Sequence, residues 1–394
     1  MRLRSSPVIV AVGLMLACTA RAGTAAGGPI GSAASGFTRG DATSPSWSPD
    51  GKQIAFAYGG PDGPYRIVRT SSRPGGAIHT ILGRPLAQSG CCGQLTWVPG
   101  SRIVFENNKG ILFSVSLHGG KPKPIVLPSC PGGGCEPWRP IVSPDREYVA
   151  FATTCGTPHC PFGILLVKLT GRRPREVSSP GAGGGNDEIL GFSPDSRQLV
   201  FSSSPWSDPG SPPRPPEPPV LLAIRLSGGD SVPLAQSGVP GAALVPSDAG
   251  EAQWSPDGRW LAFVEAPTGF GSGHELEVVP TTGATAPRVI ATCPARFLSG
   301  LSWSPTSKQI AFNCTSGFDG SAQLMAVRPD GTHLTSLLND RRLTYAGYYS
   351  PGLGGVPQWS PDGSRLLFLA RRFGHRTMRV WTIRPNGHDL SRLG

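Results

Sequence analysis

An all-β fold is predicted by three features of the sequence. Turn formers are dense, no stretch suits a long helix, and one short phrase returns seven times. Gly (54) and Pro (43) make up about a quarter of the 394 residues, without a collagen-like triplet. Hydrophobic residues reach 38%, enough for a core, so the turn formers point to many short strands rather than to disorder. Amphipathic helices would need stretches rich in Ala, Leu, Glu and Lys and free of Gly and Pro, and the chain has none.

The phrase is plainest as Trp47-Ser48-Pro49-Asp50-Gly51 leading into Ile54-Ala55-Phe56. It returns at Trp97, Val142, Phe192, Trp254, Trp303 and Trp359, each time followed by an apolar triplet that ends in Phe. Pro sets φ for the first corner of a turn, Asp bonds back to the backbone, and the next residue can take positive φ. Each phrase is therefore a tight corner joining two strands. The triplet after it shows little polar alternation, as in a strand covered on both faces. Third strands are predicted over Tyr65–Thr70, Ile111–Leu117, Gly163–Leu169, Val220–Leu226, His274–Val279, Gln323–Val327 and Met378–Ile383. A Gly-containing turn and a short fourth strand complete each unit. Four antiparallel strands recurring every ~50 residues without linkers predict a single seven-bladed β-propeller.

The Trp-Ser-Pro-Asp-Gly corner with its apolar-Ala-Phe strand resembles the WD40-like propeller repeat of the TolB family and of prolyl-oligopeptidase-type propellers. The resemblance covers about residues 44–394. It implies a fold more than a function, because the motif is structural.

Ahead of the repeats lies an export signal. Arg2 and Arg4 precede the apolar run Val8–Ala20, and Ala20-Arg21-Ala22 forms a small-x-small cleavage site. The expected organisation is a signal peptide over 1–22, an extension over 23–43 and the propeller over 44–394. Cleavage removes Arg2, Arg4 and Arg21, lowering the net charge from +11 to +8. Leu16-Ala17-Cys18 also resembles the end of a bacterial lipobox, so lipidation at Cys18 is the alternative and the only membrane link expected. Either way the expected location is periplasmic, cell-surface or extracellular.

Loop lengths separate the two ends of the ring. First-to-second and third-to-fourth strand turns are short. Second-to-third and blade-to-blade connections are long, as in Ser203–Pro219, Glu265–Gly273, Gly181–Asp187, Ser237–Gly250 and Asn339–Val356. Both long classes emerge at one end, and long loops on a rigid scaffold are where binding usually sits. Cys91, Cys92, Cys130, Cys135, Cys155, Cys160, Cys293 and Cys314 all fall in or beside these loops. An even count in an exported chain reads as a disulfide framework. The expected bridges are Cys130–Cys135, Cys155–Cys160 and Cys293–Cys314, with Cys91 and Cys92 forming a vicinal bridge or pairing elsewhere. The four middle cysteines, with His159 adjacent, would alternatively suit zinc, although their spacing and the oxidising compartment favour disulfides; no cofactor is expected.

Catalytic motifs are sparse. The sequence has no Gly-x-Ser-x-Gly elbow, no phosphate loop, no dinucleotide fingerprint and no His-Glu-x-x-His. His159, His274 and His375 fall in long-face loops. The candidate binding residues on that face are Asp187, Glu188 and Glu251, together with the aromatic-basic group Arg341, Arg342, Tyr345, Tyr348 and Tyr349. Pro205–Pro219 should be extended and exposed. Arg residues are dispersed, so nucleic acid is not an expected partner. The expectation is an exported, non-enzymatic propeller that binds a protein, peptide or glycan on its long-loop face. The alternative is an extracytoplasmic lyase or hydrolase with its site in the central funnel.

Overall fold

The structure, a computed structural model, describes residues 41–393 except 60–65, 84–94, 99, 107–111, 126–134, 156–162, 170–174, 179–184, 206–219, 229, 231, 234–250, 266–273, 282–284, 294–296, 316–321, 339–342, 346–355, 373–374 and 376. Blade one comprises β1 (Asp41–Trp47), β2 (Gln53–Gly59), β3 (Arg66–Ser71) and β4 (His79–Leu82). Blade two is β5 (Thr96–Val98), β6 (Arg102–Glu106), β7 (Leu112–Ser116) and β8 (Lys123–Pro124). Blade three is β9 (Cys135–Val142), β10 (Tyr148–Cys155), β11 (Gly163–Lys168) and β12 (Arg175–Ser178). Blade four holds β13 (Gly185–Phe192), β14 (Gln198–Pro205), β15 (Val220–Arg225) and β16 (Val232–Pro233). In blade five are β17 (Glu251–Trp254), β18 (Trp260–Glu265), β19 (Glu275–Pro280) and β20 (Arg288–Thr292). Blade six runs β21 (Phe297–Trp303), β22 (Ile310–Thr315), β23 (Ala322–Val327) and β24 (Thr335–Ser336). Blade seven has β25 (Leu343–Tyr345), β26 (Gln358–Trp359), β27 (Leu366–Arg372), β28 (Arg379–Ile383) and β29 (Ser391–Leu393).

Every blade is an antiparallel meander in chain order; in the seventh, β25 and β26 share the first position against β27. The predicted third strands all form, with ends shifted by a residue or so. First strands of consecutive blades lie beside one another, as β13 does with β17 and β17 with β21, so they face the axis.

Packing follows a rule written in the apolar triplet. Phe56, Phe105, Phe151, Phe201, Phe263, Phe312 and Phe368 are each at most 2% exposed. Each joins an apolar cluster shared with the preceding blade, while its neighbour on the other side of the strand faces the next blade. Thus Phe312 packs with Leu276, Val278 and Ile290 of blade five. Ala311 packs with Trp359 and Leu366 of blade seven. Seven such clusters, one per pair of consecutive blades, close the ring. A large ring on one side and a small side chain on the other lets flat sheets stack at constant angle without voids.

The motif tryptophans add a latch. The Nε1–H of Trp97, Trp303, Trp359 and Trp47 donates to the carbonyl of Ser46, Gln253, Ser302 and Gln358, at 2.9, 3.1, 2.9 and 3.1 Å. Each acceptor immediately precedes the motif aromatic of the previous blade, so one blade's first strand is tied to the next. Trp254 breaks the pattern: its indole N–H is buried without a partner among the described residues.

The corners that carry Ser-Pro are held by one hydroxyl each. Ser48 Oγ donates to Asp50 Oδ1 at 2.6 Å and accepts the Gln53 N–H at 2.9 Å. The Asp50 carboxylate also accepts the Lys52 N–H at 3.1 Å. The same bonds recur around Ser193, Ser255 and Ser360. The residue after the acid has positive φ: Gly51 at 68°, Ser196 at 56° and even Arg146 at 58°, and Ser307, after Thr306, takes the same conformation at 57°.

No strand exchange closes the ring among the described residues. Blade seven is built from its own strands, and blade one meets it through Ala42 N–H to Met378 O (3.1 Å) and Met378 N–H to Asp41 Oδ1 (2.7 Å). Gln358 Nε2 donates to Pro45 O at 2.7 Å. An apolar cluster of Trp47, Phe56, Leu367, Leu369 and Val380 lies behind these bonds. Phe37 and Thr38, a candidate closing strand by sequence, lie outside the described residues.

Phe312→Ala should destabilise the propeller by about 3–5 kcal/mol, and Trp303→Phe, which keeps the ring and removes the latch, by about 1 kcal/mol. Urea unfolding of the two variants beside the parent measures both; equal losses would contradict the separate roles given to packing and latch.

Candidate functional site

The long connections all leave from the end of the ring opposite the Ser-Pro corners. Strands there run further than the sequence suggests. β13 begins at Gly185, so Asp187 and Glu188 lie within a strand rather than a loop, opposite Ser203 and Ser202 of β14. Glu251 opens β17 opposite Val264. Tyr345 closes β25, a strand not foreseen from the sequence, opposite Ala370. Arg341, Arg342, Tyr348 and Tyr349 lie outside the described residues. Asp187, Glu188 and Glu251 therefore share this end of blades four and five, and Tyr345 sits at the same end of blade seven.

Blades five and six are strongly tied at this end. Cys293, just after β20, and Cys314, inside β22, form a disulfide with Cα atoms 5.5 Å apart. Both cysteines are buried. His274 Nδ1 lies 3.3 Å from the Leu298 N and 3.5 Å from the Leu298 O, so the imidazole meets the Leu298 backbone of blade six. Cys293 N–H donates to His274 O at 3.0 Å. His274 is thereby a structural link between the two blades. Cys135 and Cys155 begin β9 and end β10, directly opposite each other in register. Cys91, Cys92, Cys130, Cys160 and His159 lie outside the described residues.

Beside these residues is an acidic group that the sequence reading missed in part. Glu265 stands opposite Glu275 across β18 and β19, and Glu277 follows two residues on, opposite Phe263. That side of the sheet meets blade four through Phe263, Val279, Val200 and Ala223. Glu277 is 8% exposed, and burial raises its carboxyl to about 7, reinforced by the hydrogen bond its protonated form donates to Glu265 and by the charges of Glu265 and Glu275. The available signal was the break in apolar character: a third strand covered on both sides should not carry Glu at 277. Among the described residues, no group of three or more His, Cys, Asp or Glu is placed to hold a metal ion.

The repeat acids serve the fold. A hydrogen bond from its corner serine holds each of Asp50, Asp195 and Asp362 below the ordinary aspartate range. They stay ionised at neutral pH and take no part in proton transfer.

No family model matches the chain. No curated protein matches it in sequence. Many solved structures share the fold. A puromycin-hydrolysing peptidase of Mycobacterium tuberculosis matches at 16% identity and TM-score 0.61, over 90% of this chain and 53% of the peptidase. The chain thus spans about half of that enzyme's length. An oligogalacturonate lyase in complex with manganese matches at 12% identity and TM-score 0.59, over 86% of this chain and 87% of the lyase. The propeller domain of the Trilobed protease from Pyrococcus furiosus, described as having an open velcro topology, matches at 10% identity and TM-score 0.59, covering 91% and 98%. Structures named as TolB are among the matches too. Propellers of this kind occur in hydrolases and lyases, so the matches establish architecture alone: the chain is a seven-bladed β-propeller of four-stranded antiparallel blades.

Proposed function

We propose that this chain is an exported binding scaffold that engages a protein, peptide or glycan on its long-loop face. The observation that carries the reading is the Cys293–Cys314 bridge, which fastens two blades at the end where the long connections emerge. Disulfides persist in oxidising compartments, and a fastened platform holds recognition loops without the entropy loss of ordering them on contact. Asp187, Glu188, Glu251 and the group Arg341, Arg342, Tyr345, Tyr348 and Tyr349 supply charge and aromatic surface for that contact. The extension over 23–43 and the leader over 1–22, or a lipid on Cys18, would set where the scaffold is displayed.

A second reading has its own support. Glu277 and Glu265 share a hydrogen bond, and a carboxyl raised to about 7 has the proton affinity of a general acid. An enzyme of this class would be a lyase or hydrolase working at the same end of blade five.

Photo-crosslinkers placed at Glu251 and Tyr345, with Asp50 on the opposite face as control, distinguish the readings in native envelope extract. A single partner captured from the first two positions and not from the third is expected. Stoichiometric metal in the purified protein, with polysaccharide turnover lost in Glu251→Gln or Glu277→Gln, would establish the enzyme instead.

The raised Glu277 value also has a stability signature. The native state binds this proton more tightly than the unfolded chain, so the associated stabilisation is complete below about 4.5 and is lost as pH rises through about 7. Glu277→Gln should flatten that decline, leaving the protein more stable than the parent by roughly 1–2 kcal/mol above the transition. Melting temperature against pH for both proteins measures it; parallel curves would assign Glu277 an ordinary carboxyl.

A further inference from the structure

A cavity of about 720 Å³ opens at the trimmed end of the ring, where blades five, six and seven meet. It lies opposite the long loops. Its wall carries cations from three separate segments: Arg288 at the start of β20, Lys308 on the blade-six corner and Arg328 at the turn after β23. Trp260 and Trp359 line it as well, and Asp330 is the one carboxylate among its lining residues. The size is within the range of pockets that take small ligands, roughly 300–1,000 Å³.

The wall is fixed before any ligand arrives. Arg288 reaches across from blade five and donates to the carbonyls of Pro329 and, at 3.2 Å, Asp330. The blade-six corner is tied to the blade-five corner by Asp257 N–H to Ser307 Oγ at 3.0 Å. Trp260 is half-buried against the core shared by blades five and six, leaving part of its ring at the cavity.

The local sequence departs from the repeat in a way that the fold does not require. Five corners carry an acid after Ser-Pro: Asp50, Asp145, Asp195, Asp257 and Asp362. Blade six has Thr306 there, and the strong Ser-to-carboxylate bond becomes a long contact of 3.4 Å between Ser304 Oγ and Thr306 Oγ1. In blades four and five the basic residue two positions on is neutralised by its own corner acid, as in Arg197–Asp195 and Arg259–Asp257. Lys308 occupies that position in blade six without the acid. Among the described residues no carboxylate pairs with Lys308, Arg288 or Arg328 at ion-pair distance. Blade six thus keeps its corner serine without the acid, and the same substitution leaves Lys308 without the corner partner that Arg197 and Arg259 have, which adds positive potential at the cavity.

The chemistry of the wall narrows the ligand. Backbone donors here are already engaged: Lys308 and Gln309 N–H donate to Ser304 Oγ, Gly331 N–H to Arg328 O and Gly363 N–H to Ser360 O. A peptide adding as a strand would find no free amide ladder. What remains are one anchored cation, Arg288, and two exposed ones, Lys308 and Arg328, beside Trp260, which suits rings that carry their own negative charge. We propose that this cavity binds an acidic oligosaccharide, one bearing uronate carboxylates or sulfate esters, held by Arg288, Lys308 and Arg328 beside Trp260.

Calorimetric titration with a uronic-acid tetrasaccharide, a sulfated tetrasaccharide, a neutral glucose tetrasaccharide and an oligoglutamate peptide tests this. At least one acidic saccharide should bind, with affinity falling as salt rises, and whichever binds identifies the anionic group. Thr306→Asp restores the repeat's corner bond and should weaken binding by about tenfold or more without lowering the melting temperature. Lys308→Glu should weaken it similarly. Failure of both acidic saccharides to bind, unchanged affinity in Thr306→Asp, or equally tight binding of the neutral saccharide or the peptide would overturn the assignment.

Discussion

The alternation of phenylalanine with a smaller aliphatic side chain, alanine in four blades and valine or leucine in the others, along the second strand of each blade is the constraint on which the ring rests. Phe263 faces blade four while Ala262 faces blade six, and Phe312 and Ala311 repeat the arrangement one blade on. Burying one such ring is worth roughly 1.5–3 kcal/mol, and it is realised only when the neighbouring blade is in place. No blade can therefore keep its triplet out of water alone. Closure is a condition of stability here, not an ornament of symmetry.

The same repeat fixes one end of the molecule and frees the other. At the trimmed end, Ser48, Ser143, Ser193, Ser255 and Ser360 are buried and bonded both to an acid and to the backbone five residues on, so substitutions there carry a structural cost. A departure such as Thr306 is informative for that reason. At the other end no motif governs the connections. There the Cys293–Cys314 bridge supplies the rigidity that the repeat does not.

The fold was legible because its determinants are local and recur: Pro, Asp and a positive-φ residue make the corner wherever they appear, and Ile-Ala-Phe makes the strand. Features set by distant partners were less so. Gly185-Asn186-Asp187-Glu188 has no strand pattern of its own and extends β13 because Ser202–Pro205 lies beside it. β25 stands outside the motif and is paired only through the end of β27. Glu277 was hidden inside a correctly placed strand, since its proton affinity comes from Glu265 and Glu275 and from burial against blade four. The basic cavity draws on three blades, and spacing along the chain does not reveal that Arg288, Lys308 and Arg328 converge.

The junction of the first and last blades has a consequence for how the chain is ordered. It is sealed by the same kind of apolar cluster that lies at every other junction and by the indole bond found at three of them, with no strand borrowed across it among the described residues. The seam is thus interchangeable with its fellows, and the starting point of the polypeptide is an accident of the circle. Linking the end of β29 to the start of β1 by a flexible tether and cutting at another inter-blade connection would leave every described sheet whole. Such a molecule would grow or shrink in evolution by whole sectors, never by fractions of one.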